Sequence, residues 1–226
     1  MKSITKTRPV RDAVHKLIRR KPKQARGQLR VDEILDAAER LTLTTSWDKL
    51  STNHIAKEAG IPIGSLYQFF SNKHAIAHAL VERYIAGLEE AFAALPKNIE
   101  TMSPAELVNA LFDSLFVVTQ KHNGFHAMLM VASEESEMGR VSAPIRELLR
   151  GNIERMLAVR APWMSPEERK VHALVSHVSN RAIFSQAISL NSQGDKATAQ
   201  RLLQQARVMQ ISYYDHLLHD HEAATS

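Results

Sequence analysis

The sequence predicts an all-α protein of about nine helices, and three observations carry that expectation. Aromatic residues make up only 6% of the 226-residue chain, with 8 Gly and 8 Pro, while Ala, Leu, Glu, Arg and Gln are abundant. That composition favours helix. Apolar residues recur at three- and four-residue intervals over most of the length, the spacing of a helix face. Sustained alternation, which marks strands, is missing, and β-branched clusters are few. A chain of this length can bury a sizeable core in one domain or two.

Residues 1–27 form a basic arm with ten Lys/Arg against one Asp. Val10, Val14, Leu17 and Ile18 fall at helical spacing, so 9–20 can form a short helix; an unstructured arm is equally compatible. Arg19, Arg20, Lys21, Lys23 and Arg26 suit phosphates or a minor groove. A helix is expected at 28–44, where Val31, Ile34, Leu35, Ala38 and Leu41 make one stripe and Asp32 and Glu33 favour its first turn.

Leu50 to Lys73, LSTNHIAKEAGIPIGSLYQFFSNK, reads as two short helices joined at a tight Gly60 turn, with a third beginning behind them. Ser51 can N-cap the first, whose inward positions are Ile55, Ala56 and Ala59. Gly60 stands where a helix end needs a left-handed residue. Pro62 suits the first turn of the second helix. There Leu66 and Phe70 face inward and Ser65, Tyr67 and Gln68 outward. Two short helices with a Gly turn make a helix-turn-helix, whose second helix enters the DNA major groove.

The next helix spans about 72–94, with apolar Ile76, Leu80, Tyr84, Leu88 and Phe92, and stops before Pro96. Five more are expected near 104–122, 124–137, 141–160, 166–191 and 195–219. Their breaks are marked by His122-Asn123-Gly124, Met138-Gly139, Pro162 and Asn191-Ser192-Gln193-Gly194. The helix at 104–122 is apolar on most of its circumference, from Leu107 to Val118, so it should be surrounded by others. The domain reading is a basic arm (1–27), a helix-turn-helix DNA-binding domain (28–72) and a helical ligand-binding and dimerisation domain (73–226).

Charge supports the assignment of the head. Residues 1–80 carry a net +8 and the remainder −3, so the basic excess lies in the third of the chain that carries the helix-turn-helix. DNA binding needs groups that hold phosphates and groups that read base edges. Hydroxyls at Ser51, Thr52, Ser65 and Tyr67 suit the backbone, and the missing side chain of Gly64 lets the helix approach the duplex. Lys73, in the first turn of its helix, would hold a phosphate together with the helix dipole. Asn53, Ile63, Ser65 and Gln68 are candidate base readers: Asn and Gln pair with adenine, and Ile packs on a thymine methyl.

The run IAKEAGIPIGSLYQFFSNKHAIAHAL, preceded by QARGQLRVDEILDAAERL, resembles the N-terminal domain of the tetracycline-repressor (TetR) family of bacterial transcription regulators. The resemblance covers roughly Gln24 to Tyr84, about a quarter of the chain, and its specific part is Gly60-x-x-x-Gly64-x-Leu66-Tyr67-x-x-Phe70. Family members usually carry Gly and an aromatic residue between the first two helices; here Thr45-Ser46-Trp47-Asp48 stands there, with Trp47 as the aromatic plug. The resemblance implies that outward positions of the second helix touch bases while Tyr67 and Lys73 touch the backbone. It also implies a helical C-terminal dimer around a small-molecule pocket.

Met102, Phe112, Phe116, Met128, Met130, Met156 and Phe184 are candidates to line such a pocket, since Met adapts to irregular ligands; an apolar or amphipathic effector is expected. Two stripes suit the homodimer: Val171, Leu174, Val175, Val178 and Ala182, then Leu202, Leu203, Ala206, Met209 and Tyr213. Two antiparallel helices doubled by a twofold axis make a four-helix interface. Two heads at fixed spacing then read a palindrome in double-stranded DNA.

Other classes find little support. No run of about 18 apolar residues exists to span a membrane. The basic N-terminus lacks an apolar signal core, so a cytoplasmic protein is expected. The absence of Cys excludes disulfides, thiolate catalysis and Cys-ligated zinc. His122 and His126 have the spacing of a helical metal pair, but Asn123-Gly124 should break the helix between them. His216, His219 and His221 resemble a weak metal-binding tail or a solvated surface. No phosphate loop or Gly-x-Ser-x-Gly appears. No enzyme, cofactor or metal is expected. The expected function is a sequence-specific transcriptional regulator, a repressor released by a ligand; an activator of the same fold or a non-specific DNA-binding protein is the alternative.

Overall fold

The structure, a computed structural model, describes residues 25–224. Among them are ten helices and no strand: α1 Ala25–Thr42, α2 Thr52–Glu58, α3 Ile63–Phe69, α4 Lys73–Ala93, α5 Pro104–Lys121, α6 Asn123–Val131, α7 Glu137–Val141, α8 Ala143–Arg160, α9 Pro166–Ser192 and α10 Lys196–Ala224. A 3₁₀ turn, Trp47–Lys49, lies between α1 and α2. The basic arm falls outside the described residues except for its last three, which open α1. The chain forms two compact units. One runs to Glu89 and takes in Thr119–Ile145; the other comprises Glu90–Val118 and the chain from Arg146. The units therefore do not part at the expected 72/73 boundary.

In the first unit, Val31, Ile34, Leu35 and Ala38 bury the stripe of α1. Ser46 is extended, with φ −62° and ψ 146°, so this turn needs no glycine, and Trp47 is buried beneath it. Ser51 Oγ accepts the His54 N–H at 3.2 Å and caps α2. At the other end, Gly60 takes φ +66°. Its N–H reaches Lys57 O at 3.1 Å and the Ile61 N–H reaches Ala56 O at 3.0 Å. This is a Schellman motif, in which the left-handed residue closes the last carbonyls. Pro62 stands one place earlier than expected, as the extended N-cap of α3 with ψ 139°. Leu66 and Phe70 are fully buried. Asn72 Oδ1 accepts the Ala75 N–H at 2.9 Å and starts α4.

Two expectations change in this unit. The helix expected at 124–137 ends at Val131, and a separate helix, α7, follows. Ser136 Oγ accepts the Gly139 N–H at 3.0 Å; this local hydroxyl cap competes with continuation of the helix, and apolar periodicity had already lapsed at Ser133-Glu134-Glu135. Asn123-Gly124 is no break between two histidines but the first turn of α6, with His122 as N-cap. A Cβ on Gly124 would stand 2.3 Å from Glu39 O and 2.9 Å from Thr42 Oγ1. The glycine is there because the start of α6 lies directly on the end of α1.

The second unit is built on Leu107, Val108, Met156, Leu157 and Tyr214, with Met102, Leu111, Phe112, Ile153 and Ile211 packed around them. A capping box between Ser165 and Glu168 starts α9 with Pro166 at its first turn, and α9 packs along α10. The expectation that α5 is buried all round fails. Leu107, Val108 and Val118 are buried, but Phe116 and Val117 are 57% and 66% exposed; within one chain, helices cover only one side.

Gly60→Ala, which puts a Cβ at a left-handed φ, should destabilise the protein by about 1–2 kcal/mol. Urea titration of both proteins measures it.

Candidate nucleic-acid interface

The outward sides of α2 and α3 form one surface, because burial of Ile55, Ala56, Leu66 and Phe70 fixes the roll of both helices. Asn53, Gly64, Tyr67 and Gln68 are exposed, and Ser51, Thr52, Ile63 and Ser65 are half-buried at its margin. The Tyr67 and Thr52 hydroxyls pair at 3.0 Å. This bond ties the two helices together on their open side and leaves each oxygen a further hydrogen-bonding position. A Cβ on Gly64 would meet nothing within 4 Å. The exposed His54 and Lys57 share the surface and were not among the sequence candidates. Their signal was available: with Ile55 and Ala56 inward, 53, 54 and 57 point outward together.

Lys73 departs from expectation. Its Nζ donates to Trp47 O at 3.0 Å and approaches Asp48 O at 3.5 Å, and it lies 5.4 Å from the centre of the Trp47 ring. Glu137 Oε2 stands 3.9 Å away. The ammonium closes the carbonyls of the 3₁₀ turn, a use that helical periodicity could not reveal.

The seven candidate pocket residues are divided between the two units. Met128 and Met130 belong to the first unit, and Phe116 is exposed. Met102, Phe112 and Met156 pack at the core of the second, and the Phe112 and Phe184 rings lie 6.2 Å apart. The expected dimer stripe is open on α9, where Val171, Leu174, Val175 and Val178 are all more than 40% exposed, as is Val208 of α10; Met209 stands at 40%. Ala206 is buried, and Tyr213 accepts or donates at 2.6 Å to His172.

His122 and His126 do not converge on a metal position. His122 Nδ1 stands 3.0 Å from Glu39 Oε1, and Arg83 grips the same carboxylate through Nη2 and Asp36 through Nη1. His126 Nδ1 pairs with the Tyr84 hydroxyl at 2.7 Å. Burial would raise the Glu39 carboxyl, but hydrogen bonds from His122 and Arg83 outweigh it and hold the group below its ordinary range. Burial alone pushes His126 down to about 4, and burial with the nearby Glu39 charge moves Tyr84 up. Among the described residues no trio of His, Asp or Glu is placed to hold a metal ion. His216 is exposed, and the side chains of His219 and His221 lie outside the described set. No helix among the described residues is long and apolar enough to cross a membrane.

Comparison with known proteins bears on both units. Residues 34–80 match the family model "Bacterial regulatory proteins, tetR family". Residues 103–213 match "Tetracyclin repressor-like, C-terminal domain". An uncharacterised HTH-type transcriptional regulator of Mycobacterium tuberculosis is 36% identical over 81 residues, 36% of this chain and 39% of its own. The chain spans between 39% and 50% of the length of the curated relatives it matches. Among solved structures, the fatty acid degradation regulator FadR from Bacillus halodurans superposes with a TM-score of 0.61 at 16% identity, covering 83% of this chain and 97% of its own. FadR from Bacillus subtilis, solved in complex with stearoyl-CoA, gives 0.58 at 15% identity, over 80% and 97%. At these identities the likeness is one of fold.

The buried His126 sets a pH dependence. Between its ordinary 6.5 and its folded value of about 4, the unfolded chain holds a proton that the folded chain lacks, so stability is lost as pH falls through that window. Glu39, depressed below 4.5, adds a loss of the same sign at lower pH. Urea unfolding should show a fall of up to about 3 kcal/mol from His126 between pH 7 and pH 4, and His126→Gln should flatten that part of the profile.

Proposed function

This chain belongs to the tetR family of bacterial regulatory proteins, and from that premise we propose that it is a sequence-specific DNA-binding transcriptional regulator, a repressor that leaves a palindromic operator when a small molecule binds. The observation that carries this reading is the outward face of α3, open along Gly64, Tyr67 and Gln68 beside a buried Leu66–Phe70 edge. Asn53, Ile63, Ser65 and Gln68 read base edges, while Thr52 and Tyr67, joined at 3.0 Å, hold the backbone. Ser51 serves through its cap of α2, which points the helix at the duplex. Lys73 acts on the same surface by holding the Trp47 turn.

The second unit carries effector and partner. Four β-branched or leucine side chains exposed on one face of α9, at 171, 174, 175 and 178, suit a second copy of the chain, since exposed apolar stripes favour association. Two heads fixed by that dimer read an inverted repeat. The effector lies among Met102, Phe112, Met156 and Phe184. An amphipathic molecule suits this apolar lining, as the stearoyl-CoA complex of the B. subtilis neighbour illustrates for its own fold. Release is a population shift: a ligand that prefers the head spacing unsuited to DNA by about 1–3 kcal/mol lowers operator affinity five- to a hundredfold or so. The protein acts in the cytoplasm, where its DNA is.

Selection of random duplexes by the purified full chain tests the reading. An inverted repeat, bound about a thousandfold or more over random DNA at physiological salt, is the expected result; recovery of no common sequence contradicts it. Tyr67→Ala should weaken binding to that repeat several-fold in a gel-shift titration. Gly64→Ala should stabilise α3 by up to about 1 kcal/mol while lowering operator affinity, because the new methyl meets DNA and no protein group. Val175→Glu with Val178→Glu should shift the sedimentation coefficient from dimer to monomer.

A further inference from the structure

Resting on the DNA-binding reading, we infer that Glu137, at the start of α7, is a positioning residue for the recognition helix. The α2–α3 pair has an entry, the Trp47 turn, and an exit, the start of α4 at Lys73. One carboxylate from outside the motif grips both. Glu137 Oε2 accepts the Trp47 Nε1–H at 3.2 Å, across 90 residues of sequence, and stands 3.9 Å from Lys73 Nζ. Its Oε1 lies 3.0 Å from His74 Nδ1. Lys73 completes the ring by donating to Trp47 O at 3.0 Å. Entry and exit are therefore fixed to each other and to α7 by one side chain, 27% exposed.

The carboxylate is itself held firmly. Ser136 caps α7 through the Gly139 N–H at 3.0 Å, and a Cβ on Gly139 would stand 1.9 Å from Ser133 O. The turn that presents Glu137 thus has one close packing. Three polar groups converging on a partly buried carboxylate define its position better than any one contact does. What they position is Trp47 and Lys73, the backbone anchors on either side of the surface carrying Thr52 and Tyr67.

The sign of the effect separates positioning from plain charge. A carboxylate close to a DNA-binding surface repels phosphate, so Coulomb's law alone has Glu137→Gln tightening binding to every duplex. Positioning requires the opposite on the operator. The test uses the full chain, the selected inverted repeat and a random duplex of equal length. Glu137→Gln should lower operator affinity about tenfold while affinity for the random duplex holds or rises. The slope of log affinity against log salt should stay unchanged, since no phosphate contact is removed. Trp47→Phe, which deletes the indole N–H along with part of the buried ring, should give a similar loss, and the double variant should not add to it. If Glu137→Gln lowers the unfolding midpoint, the contrast between the two duplexes decides, because loss of folded protein lowers binding to both in parallel.

Equal or tighter operator binding by both variants overturns the inference, as does a parallel loss on both duplexes. Tyr67→Ala run alongside separates the two levels. If it loses the operator while Glu137→Gln keeps it, only the role of Glu137 fails; if Tyr67→Ala also keeps it, the surface itself has been misplaced.

Discussion

A seven-residue helix does not hold itself together in water, because nucleation is unfavourable and only a few hydrogen bonds follow it. The recognition helix α3 is that short. It is helical because Leu66 and the adjoining Phe70 are fully buried, and every outward residue of the proposed surface inherits its direction from those two side chains. The same dependence governs α2, also seven residues, through Ile55 and Ala56. Burial fixes the roll of each helix, the Gly60 turn fixes the angle between them, and the Thr52–Tyr67 hydroxyl pair ties their open edges.

Much of this was legible in the sequence because it is local. Ser51 before α2, Gly60 after it and the inward Ile55, Leu66 and Phe70 obey rules that reach four residues at most, and the structure places each accordingly. The stripe of α1 and the ends of α4, α5, α9 and α10 follow the same periodicity to within a few residues. What the sequence hid is long-range. Lys73 reads as a cation at a helix start, and its bond to Trp47 O depends on a turn 26 residues away. Gly124 reads as a breaker, and only the approach of Glu39 O gives it another reason. The pocket candidates were gathered by residue type, and residue type does not separate Met128 and Met130 in one unit from Met156 in the other.

The failure of α5 to be buried all round follows from the same limit. Eight apolar residues on one helix say that much surface prefers to leave water, but not whether the cover comes from this chain. Phe116 and Val117 stay open, as do the valines of α9, while the polar network of Arg207 with Asn109 and Asp113 joins α10 to another side of α5. In the proposed dimer these stripes serve association, which hydrophobic patterning signals without naming the partner.

The compact head is larger than the helix-turn-helix, and part of the reason is electrostatic. Glu39, near the end of α1, is a carboxylate drawn largely out of water, a position that burial alone would make unfavourable for the charged form. Arg83 from α4 and His122 from the start of α6 reverse that balance, so the charge is tenable in its buried position while all three helices meet. Gly124 lets them meet by giving α6 room against Glu39 O. Trp47 makes a second such demand, met by Glu137 of α7. Glu39 and Trp47 are thus completed by residues from 119–145, which together with the buried Phe125, Leu129, Met138 and Val141 join that segment to the head. A reading that stops the head at residue 72 omits the partners that make Glu39 and Trp47 tenable where they stand.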